Sequence, residues 1–374
     1  MIKNMMETKY WSCEWLDGGL GLQHSTISAC CITHHQERGW ARLCHEYDGM
    51  HLPVSAILKA KRHIIRNNQA PDRYAECRGC SFLKKREWQQ DGFPLYWLGI
   101  THYYKCNLRC YYCCFCRDEL QALPHMNILP LIRSIVDDGL IAPNAQILWG
   151  GGEPTILPEF EDIYSLLAEY GVSQEVPTNG VVFSQTLEEH LKDSKTNVKM
   201  SLDAANPETY RKIKGADSCD AAWESAGRYT LAGGRRVLVK MIVNEYNLEE
   251  VEQFAIKCKE YGIKSVAGDV DCTRPAKDQS IVDALARLAI ACIDRGIEFN
   301  LHPIGTEAWP EMRVEARFED AFARLINGQT HSCPGSKHST LLGNVCRKSL
   351  GNISHIWNEI KSRKSIQPTH ADHS

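Results

Sequence analysis

Three cysteines stand four and then three residues apart in the segment Lys105-Cys106-Asn107-Leu108-Arg109-Cys110-Tyr111-Tyr112-Cys113. Three thiolates can hold three irons of a [4Fe–4S] cube and leave the fourth iron without a protein ligand. Such an iron can bind substrate, so Cys106, Cys110 and Cys113 are candidate catalytic and metal-ligating residues. A zinc ion normally takes four nitrogen or sulfur ligands, and Cys114 and Cys116 could complete such a set. Spacing alone leaves both metals open. Further along lies Trp149-Gly150-Gly151-Gly152-Glu153-Pro154, where glycines let backbone approach a ligand closely and a carboxylate can pair with an ammonium. Pro177-Thr178-Asn179-Gly180 and Ser201-Leu202-Asp203-Ala204 complete the group. Taken singly, each of these last two reads as an ordinary turn.

The elements around these segments would place them together. Apolar and β-branched runs at 97–103, 146–149, 174–176, 198–202, 237–243 and 264–270 predict six strands. Helical patterns at 128–138, 159–170, 187–193, 221–231, 248–261 and 282–295 follow them in turn. Strands alternating with helices of this length imply an α/β fold with a parallel sheet and right-handed crossovers. Six units are too few for an eight-fold barrel, so a partial (β/α)6 barrel is expected. In such folds the active site forms where strand carboxyl ends meet their following loops. All four segments fall in those loops. The alternation begins near residue 96; the first 95 residues show none of it. The expected division is a cysteine-rich region over 1–95, the barrel over 96–305 and a carboxyl-terminal segment over 306–374.

In this order and on successive strands, the four segments resemble the radical S-adenosylmethionine (SAM) superfamily, whose signature is this cysteine spacing with an aromatic residue just before the third. Tyr112 occupies the aromatic position. The resemblance covers about residues 98–270. It implies a [4Fe–4S] cluster on Cys106, Cys110 and Cys113 whose open iron is chelated by the amino and carboxylate groups of SAM. It also implies that Tyr112 lies near the adenine and that Gly151, Gly152 and Glu153 contact the SAM amino group. Asn179, Ser201 and Asp203 would reach its ribose or methionyl portion. The implied activity is reductive cleavage of SAM to a 5′-deoxyadenosyl radical that abstracts hydrogen from substrate, with the electron supplied by an external flavodoxin- or ferredoxin-like donor.

Cysteines outside the barrel carry a second expectation. Cys77-Arg78-Gly79-Cys80 has a spacing that lets two thiolates bind one metal, and Cys13 and the pair Cys30-Cys31 precede it. With Gly19-Leu20-Gly21-Leu22 between them, Cys13 and Cys30 are similar to fragments of the SPASM and twitch auxiliary-cluster modules that many radical SAM enzymes carry after the barrel. Here the stretch comes before it. The preferred reading is a second [4Fe–4S] cluster on Cys13, Cys30, Cys77 and Cys80, with Cys31 interchangeable with Cys30; structural zinc on the same thiols is the alternative. A shorter SPASM-like echo, Cys333-Pro334-Gly335 and Gly343-Asn344-Val345-Cys346, lies at the carboxyl end. Cys258 and Cys292 sit on apolar helical faces and are read as core residues. Cys114 and Cys116 are assigned to packing ahead of two other roles, a spare thiol near the cluster or a hydrogen-atom donor.

Composition narrows the rest. Forty-three basic against 46 acidic residues give a net charge of −3, which selects neither nucleic acid nor an anionic membrane. No signal-peptide pattern or membrane-length apolar run is read, so a cytoplasmic protein is expected. Seventeen cysteines in 374 residues are fewer than the roughly 8–10 per cent of disulfide scaffolds. Grouped thiols in a reducing compartment point to metal. The substrate is expected to be a peptide or a carbohydrate. A non-catalytic zinc or iron–sulfur interaction module on the same scaffold is the competing class.

Overall fold

The computed structural model describes residues 9–29, 42–44, 47, 49–72, 77–78, 80, 82–88, 92–271, 278–301 and 315–327. The chain divides into two compact units, one formed by residues 1–199 with 307–309, the other by 200–306 and 310–374.

The first unit contains β1 (Lys9–Ser12), α1 (Glu14–Gly18), β2 (Gly19–Gln23), β3 (Thr26–Ser28), β4 (Arg42–Cys44), α2 (Val54–Asn67) and β5 (Lys84–Glu87). It continues with β6 (Leu95–Thr101), α3 (Asp118–Gln121), α4 (Leu129–Asp137), β7 (Ile141–Trp149), α5 (Phe160–Tyr170), β8 (Ser173–Thr178) and α6 (Gln185–His190). Its sheet runs in the order β8-β7-β6-β2-β3-β4. The strands from β8 to β2 are parallel, and β3 and β4 join antiparallel. β1 and β5 form a separate antiparallel ribbon.

Helix α4 presents Leu131, Ile132 and Ile135 inward at helical spacing, and α5 presents Phe160, Ile163, Tyr164 and Leu167. Trp149 packs edge-on against Phe160 with ring centroids 5.0 Å apart. Polar atoms inside this core are paired: the Trp149 indole donates to Gln174 at 3.0 Å, and Gln174 donates to the Tyr164 carbonyl at 2.9 Å.

β9 (Thr196–Ser201) carries the chain from the first unit into the second. There α7 (Pro207–Lys214), α8 (Cys219–Gly233), β10 (Val237–Val243), α9 (Val251–Glu260), β11 (Ser265–Val270), α10 (Gln279–Asp294), β12 (Glu298–Leu301) and α11 (Glu315–Asn327) follow. β10, β11 and β12 are parallel neighbours. Trp223 is fully buried against Phe254 and Tyr261, with centroids 5.2 and 5.5 Å away. Cys258 and Cys292 are core residues, as expected; burial pushes the Cys292 thiol up to about 12 and the Cys258 thiol well above its usual range.

The structure adds to the expected α/β pattern at both ends. A seventh strand of the alternation, β12, is short and has only four residues to announce it. More consequential is β2, which runs parallel to β6 with Gly19 opposite Trp97 and Gln23 opposite Thr101. The described residues before 95 therefore include regular structure, and one of their strands lies beside the first expected strand. Its sequence, Gly-Leu-Gly-Leu-Gln, conceals this, because glycine has low strand propensity. All five residues are buried, and Gly19 is required by contact: a β-carbon there would lie 2.5 Å from the Trp15 ring.

Deletion of residues 1–90 should thus bare the edge of β6, whose Leu95, Leu98 and Ile100 are buried. The truncated protein is expected to aggregate, as measured by size-exclusion chromatography; a monomeric truncation with native circular dichroism would show that β2 is dispensable.

Candidate functional site

The loops after β6, β7 and β8 lie together in the first unit. Backbone hydrogen bonds lace the first two: Gly150 N donates to Ile100 O at 3.0 Å, Gly152 N to Tyr103 O at 2.8 Å and Glu153 N to Lys105 O at 2.9 Å. Such contact excludes side chains. A β-carbon on Gly152 would stand 2.0 Å from the Lys105 carbonyl oxygen, and one on Gly151, whose φ is +90°, 2.4 Å from that of Tyr103. The Gly151-Gly152 pair therefore fixes the backbone that leads directly into Cys106.

Glu153 is 2% exposed, and protein donors surround its carboxylate. Oε1 accepts from Thr155 N at 3.1 Å, Thr155 Oγ1 at 2.8 Å and Thr178 Oγ1 at 2.8 Å, while Oε2 accepts from Asn179 N at 2.7 Å. Burial pushes its carboxyl above the ordinary range, and these donors pull it back. The side chain ties the loop after β7 to the loop after β8. Asn179 extends the tie: its amide donates to Asn107 Oδ1 at 2.7 Å and approaches Cys106 Sγ at 3.8 Å.

The cysteine loop is folded upon itself. Leu108 is buried, and its N–H points to Cys106 Sγ at 3.4 Å while its carbonyl accepts from Cys116 Sγ at 3.7 Å. Cys113 N donates to Cys110 O, and Cys116 N to Cys113 O, at 3.1 and 3.3 Å. Gln121 at the end of α3 staples both arms, donating to Tyr104 O and Phe115 O at 2.6 and 2.7 Å and accepting from Cys106 N at 3.3 Å. Above it Tyr104 stacks on Phe115. Tyr112 is half-buried, edge-on to Tyr111 at 5.3 Å. Cys114 is exposed and Cys116 half-buried, so neither is a core packing residue; both belong to the loop itself.

These residues fit an iron–sulfur cube. Desolvation, with Glu153, Cys110 and Cys113 adding, pushes the Cys106 thiol up to about 11. Neighbouring thiols in a desolvated loop keep their protons unless a cation stabilises the thiolates. Among the described residues no three His, Cys, Asp or Glu side chains converge as donors to one metal ion. A cube instead spreads its ligands around four irons.

The remaining expected residues have partners of their own. Ser201 and Asp203 are in the second unit. Asp203 is fully buried at a φ of 63°, accepting from Ile242 N at 2.7 Å, from Ser201 Oγ at 3.2 Å and from the buried Lys214 ammonium. Both of its oxygens serve the protein. Cys13 caps α1, its sulfur accepting from Leu16 N at 3.5 Å, beside the buried Lys61. Cys77 and Cys80 share a turn, with Cys80 N donating to Cys77 O at 3.1 Å. Cys13, Cys77 and Cys80 do not form a three-residue metal group. Cys30, Cys31, Cys333 and Cys346 lie outside the described residues.

Gln121 and His102 gave no signal in the sequence. His102 follows β6, is 3% exposed, and neither ring nitrogen has a polar partner among the described residues. Burial lowers its pKa to about 3, with His125 and His24 adding to the effect.

A parallel α/β sheet that presents a folded three-thiol loop at its strand ends defines the scaffold of a metal-dependent enzyme. Residues 100–268 match the Radical SAM superfamily and form a Radical SAM domain, the kind of domain that iron–sulfur enzymes carry. It is 26% identical over 273 residues to the mycofactocin maturase MftC of Mycobacterium tuberculosis, covering 68% of each chain. It is 29% identical over 133 residues to a GTP 3′,8-cyclase of Desulforamulus reducens, covering 34% of this chain and 41% of that one. A crystal structure of Streptococcus suis SuiB bound to precursor peptide SuiA aligns with a TM-score of 0.45 at 17% identity, over 72% of this chain and 60% of that one. The chain thus spans under two thirds of that protein. No helix among the described residues is long and apolar enough to cross a membrane.

Two predictions follow from this geometry. In Glu153→Gln the amide must face either Thr155 N or Asn179 N, so one buried backbone donor loses its acceptor. A loss of about 1–3 kcal/mol is expected by urea denaturation, and unchanged stability would remove Glu153 from its tying role. His102 stays neutral in the folded chain down to about pH 3, whereas an unfolded histidine protonates near 6.5. Stability is therefore present above that value and lost as pH falls from 6.5 toward 3. His102→Phe should flatten this acid limb in denaturation midpoints measured across the range.

Proposed function

We propose that the chain binds a [4Fe–4S] cluster through Cys106, Cys110 and Cys113, cleaves SAM reductively at that cluster, and modifies a peptide in the manner of a maturase. The observation that carries this reading is the lacing of the three-thiol loop to the Gly151-Gly152-Glu153 backbone, which holds three separate strand ends as one frame. When bound, the cluster and SAM together supply a radical able to abstract hydrogen from substrate. The chain's residues do the positioning. Gly151 and Gly152 let the backbone come close, Asn179 fixes Asn107 beside the first thiol, and Gln121 keeps the loop's arms together. Tyr112 is placed to lie against the adenine. The electron comes from an external flavodoxin- or ferredoxin-like protein.

A peptide substrate is favoured over a nucleotide because the match to the Mycobacterium tuberculosis maturase extends over 68% of this chain, whereas matches to GTP 3′,8-cyclases extend over 34–47%. A second [4Fe–4S] cluster, or structural zinc, on Cys13, Cys30, Cys77 and Cys80 remains part of the proposal; the N–H that Leu16 donates to Cys13 Sγ is of the kind that cluster thiolates accept.

Anaerobic protein carrying Cys106→Ala, Cys110→Ala and Cys113→Ala together is expected to release no 5′-deoxyadenosine from SAM under reducing conditions; release at the wild-type rate would overturn the assignment. Iron retained by this variant would report an amino-terminal cluster, and retained zinc a structural site. With the wild type, a precursor peptide encoded beside the gene should stimulate release and GTP should not; the opposite result would move the substrate to the nucleotide class.

A further inference from the structure

The loop holds five cysteines, and four of them share one spacing pattern. Cys110, Cys113 and Cys116 repeat at the two-residue gap by which successive thiolates in bacterial ferredoxins take irons of one cube, and Cys106 precedes them. The fold brings the outer pair to one anchor: Leu108 N–H meets Cys106 Sγ, and Leu108 O accepts from Cys116 Sγ. Cys116 is also in side-chain contact with Cys113. Its backbone continues the turn, with Cys116 N on Cys113 O, and the Gln121 staple holds Phe115, its neighbour, against Tyr104. Cys114, in contrast, is exposed and its carbonyl is taken by Arg117 Nε at 3.1 Å.

We infer that Cys116 is a fourth thiolate ligand of the barrel cluster in the absence of SAM, closing the iron that the other three cysteines leave open. This rests on the cluster assignment proposed above. The loop then supplies the complete four-thiolate set of a ferredoxin-type cube. When SAM arrives, Cys116 gives up its sulfur–iron bond and its thiolate takes the proton that the SAM ammonium sheds, and the resulting amino nitrogen and the carboxylate oxygen of SAM bond to that iron in its place. No electron is transferred in the exchange. The closed form shields the exposed iron from oxidative loss and lowers apparent SAM affinity. A closed fraction of roughly 90 per cent would weaken binding about tenfold.

The test compares reconstituted full-length wild type, Cys116→Ala, Cys116→Ser and a Cys114→Ala control, all anaerobic. Without SAM, the reduced-cluster electron paramagnetic resonance spectrum of Cys116→Ala should differ from wild type, Cys116→Ser should give a third spectrum, and Cys114→Ala should match wild type. With saturating SAM the spectra should coincide. SAM titration should show about tenfold tighter binding to Cys116→Ala, and brief air exposure without SAM should convert its cluster to the three-iron form faster. Identical SAM-free spectra and oxidation rates in wild type and Cys116→Ala would overturn the inference while leaving the cluster assignment intact. A wild type that assembles no cube would defeat that assignment and this inference together.

Discussion

A single close contact organises the first unit: the backbone at Gly152 runs so near the Lys105 carbonyl that a β-carbon would come within 2.0 Å of it. Two loops from neighbouring parallel strands can approach this closely only where one of them lacks side chains. Once they do, Gly152 and Glu153 donate to the strand-end backbone in succession, and Glu153 is carried into a buried position among four donors. A carboxylate buried there is tolerable because every contact it makes is a donor. The first thiol of the cysteine loop inherits its position from this arrangement.

The second unit solves a similar problem with an ion pair. Asp203 adopts a left-handed backbone conformation seldom taken by a residue with a side chain, and Lys214, Ile242 N and Ser201 satisfy it. Asn247 adds a bond from its amide to the Asp203 carbonyl at 2.8 Å. Buried pairs of this kind tolerate loss of one partner poorly, because the other is left charged and dry. Strain and charge persist here because the surrounding bonds over-determine them.

These two carboxylates explain what could be read from sequence and what could not. β10 was legible to the residue because Val-Leu-Val-Lys-Met-Ile-Val has no competing interpretation; the neighbouring strands were found with ends shifted by a few residues. The glycine-rich motif and the cysteine spacing were legible because few other structures require them. The ion pair of Asp203 was not, since nothing in the sequence announces that Lys214 folds against it. Gln121 was invisible for the converse reason: it acts on backbone carbonyls, which leave no trace in the sequence. β2 was missed because its glycines answer to Trp15 and to a strand far along the chain.

That distance bears on the order in which the protein is made. Thr101 bonds Leu22 across a separation of 79 residues, so β2 finds its permanent neighbour only after β6 has been synthesised. Until then β2 has its hairpin with β3 and the preceding α1 beside it, and a short hairpin alone has little stability in water. Non-local pairing of this kind slows folding, because loop-closure entropy must be overcome before the contact forms. The strand made earlier docks onto a partner made after it.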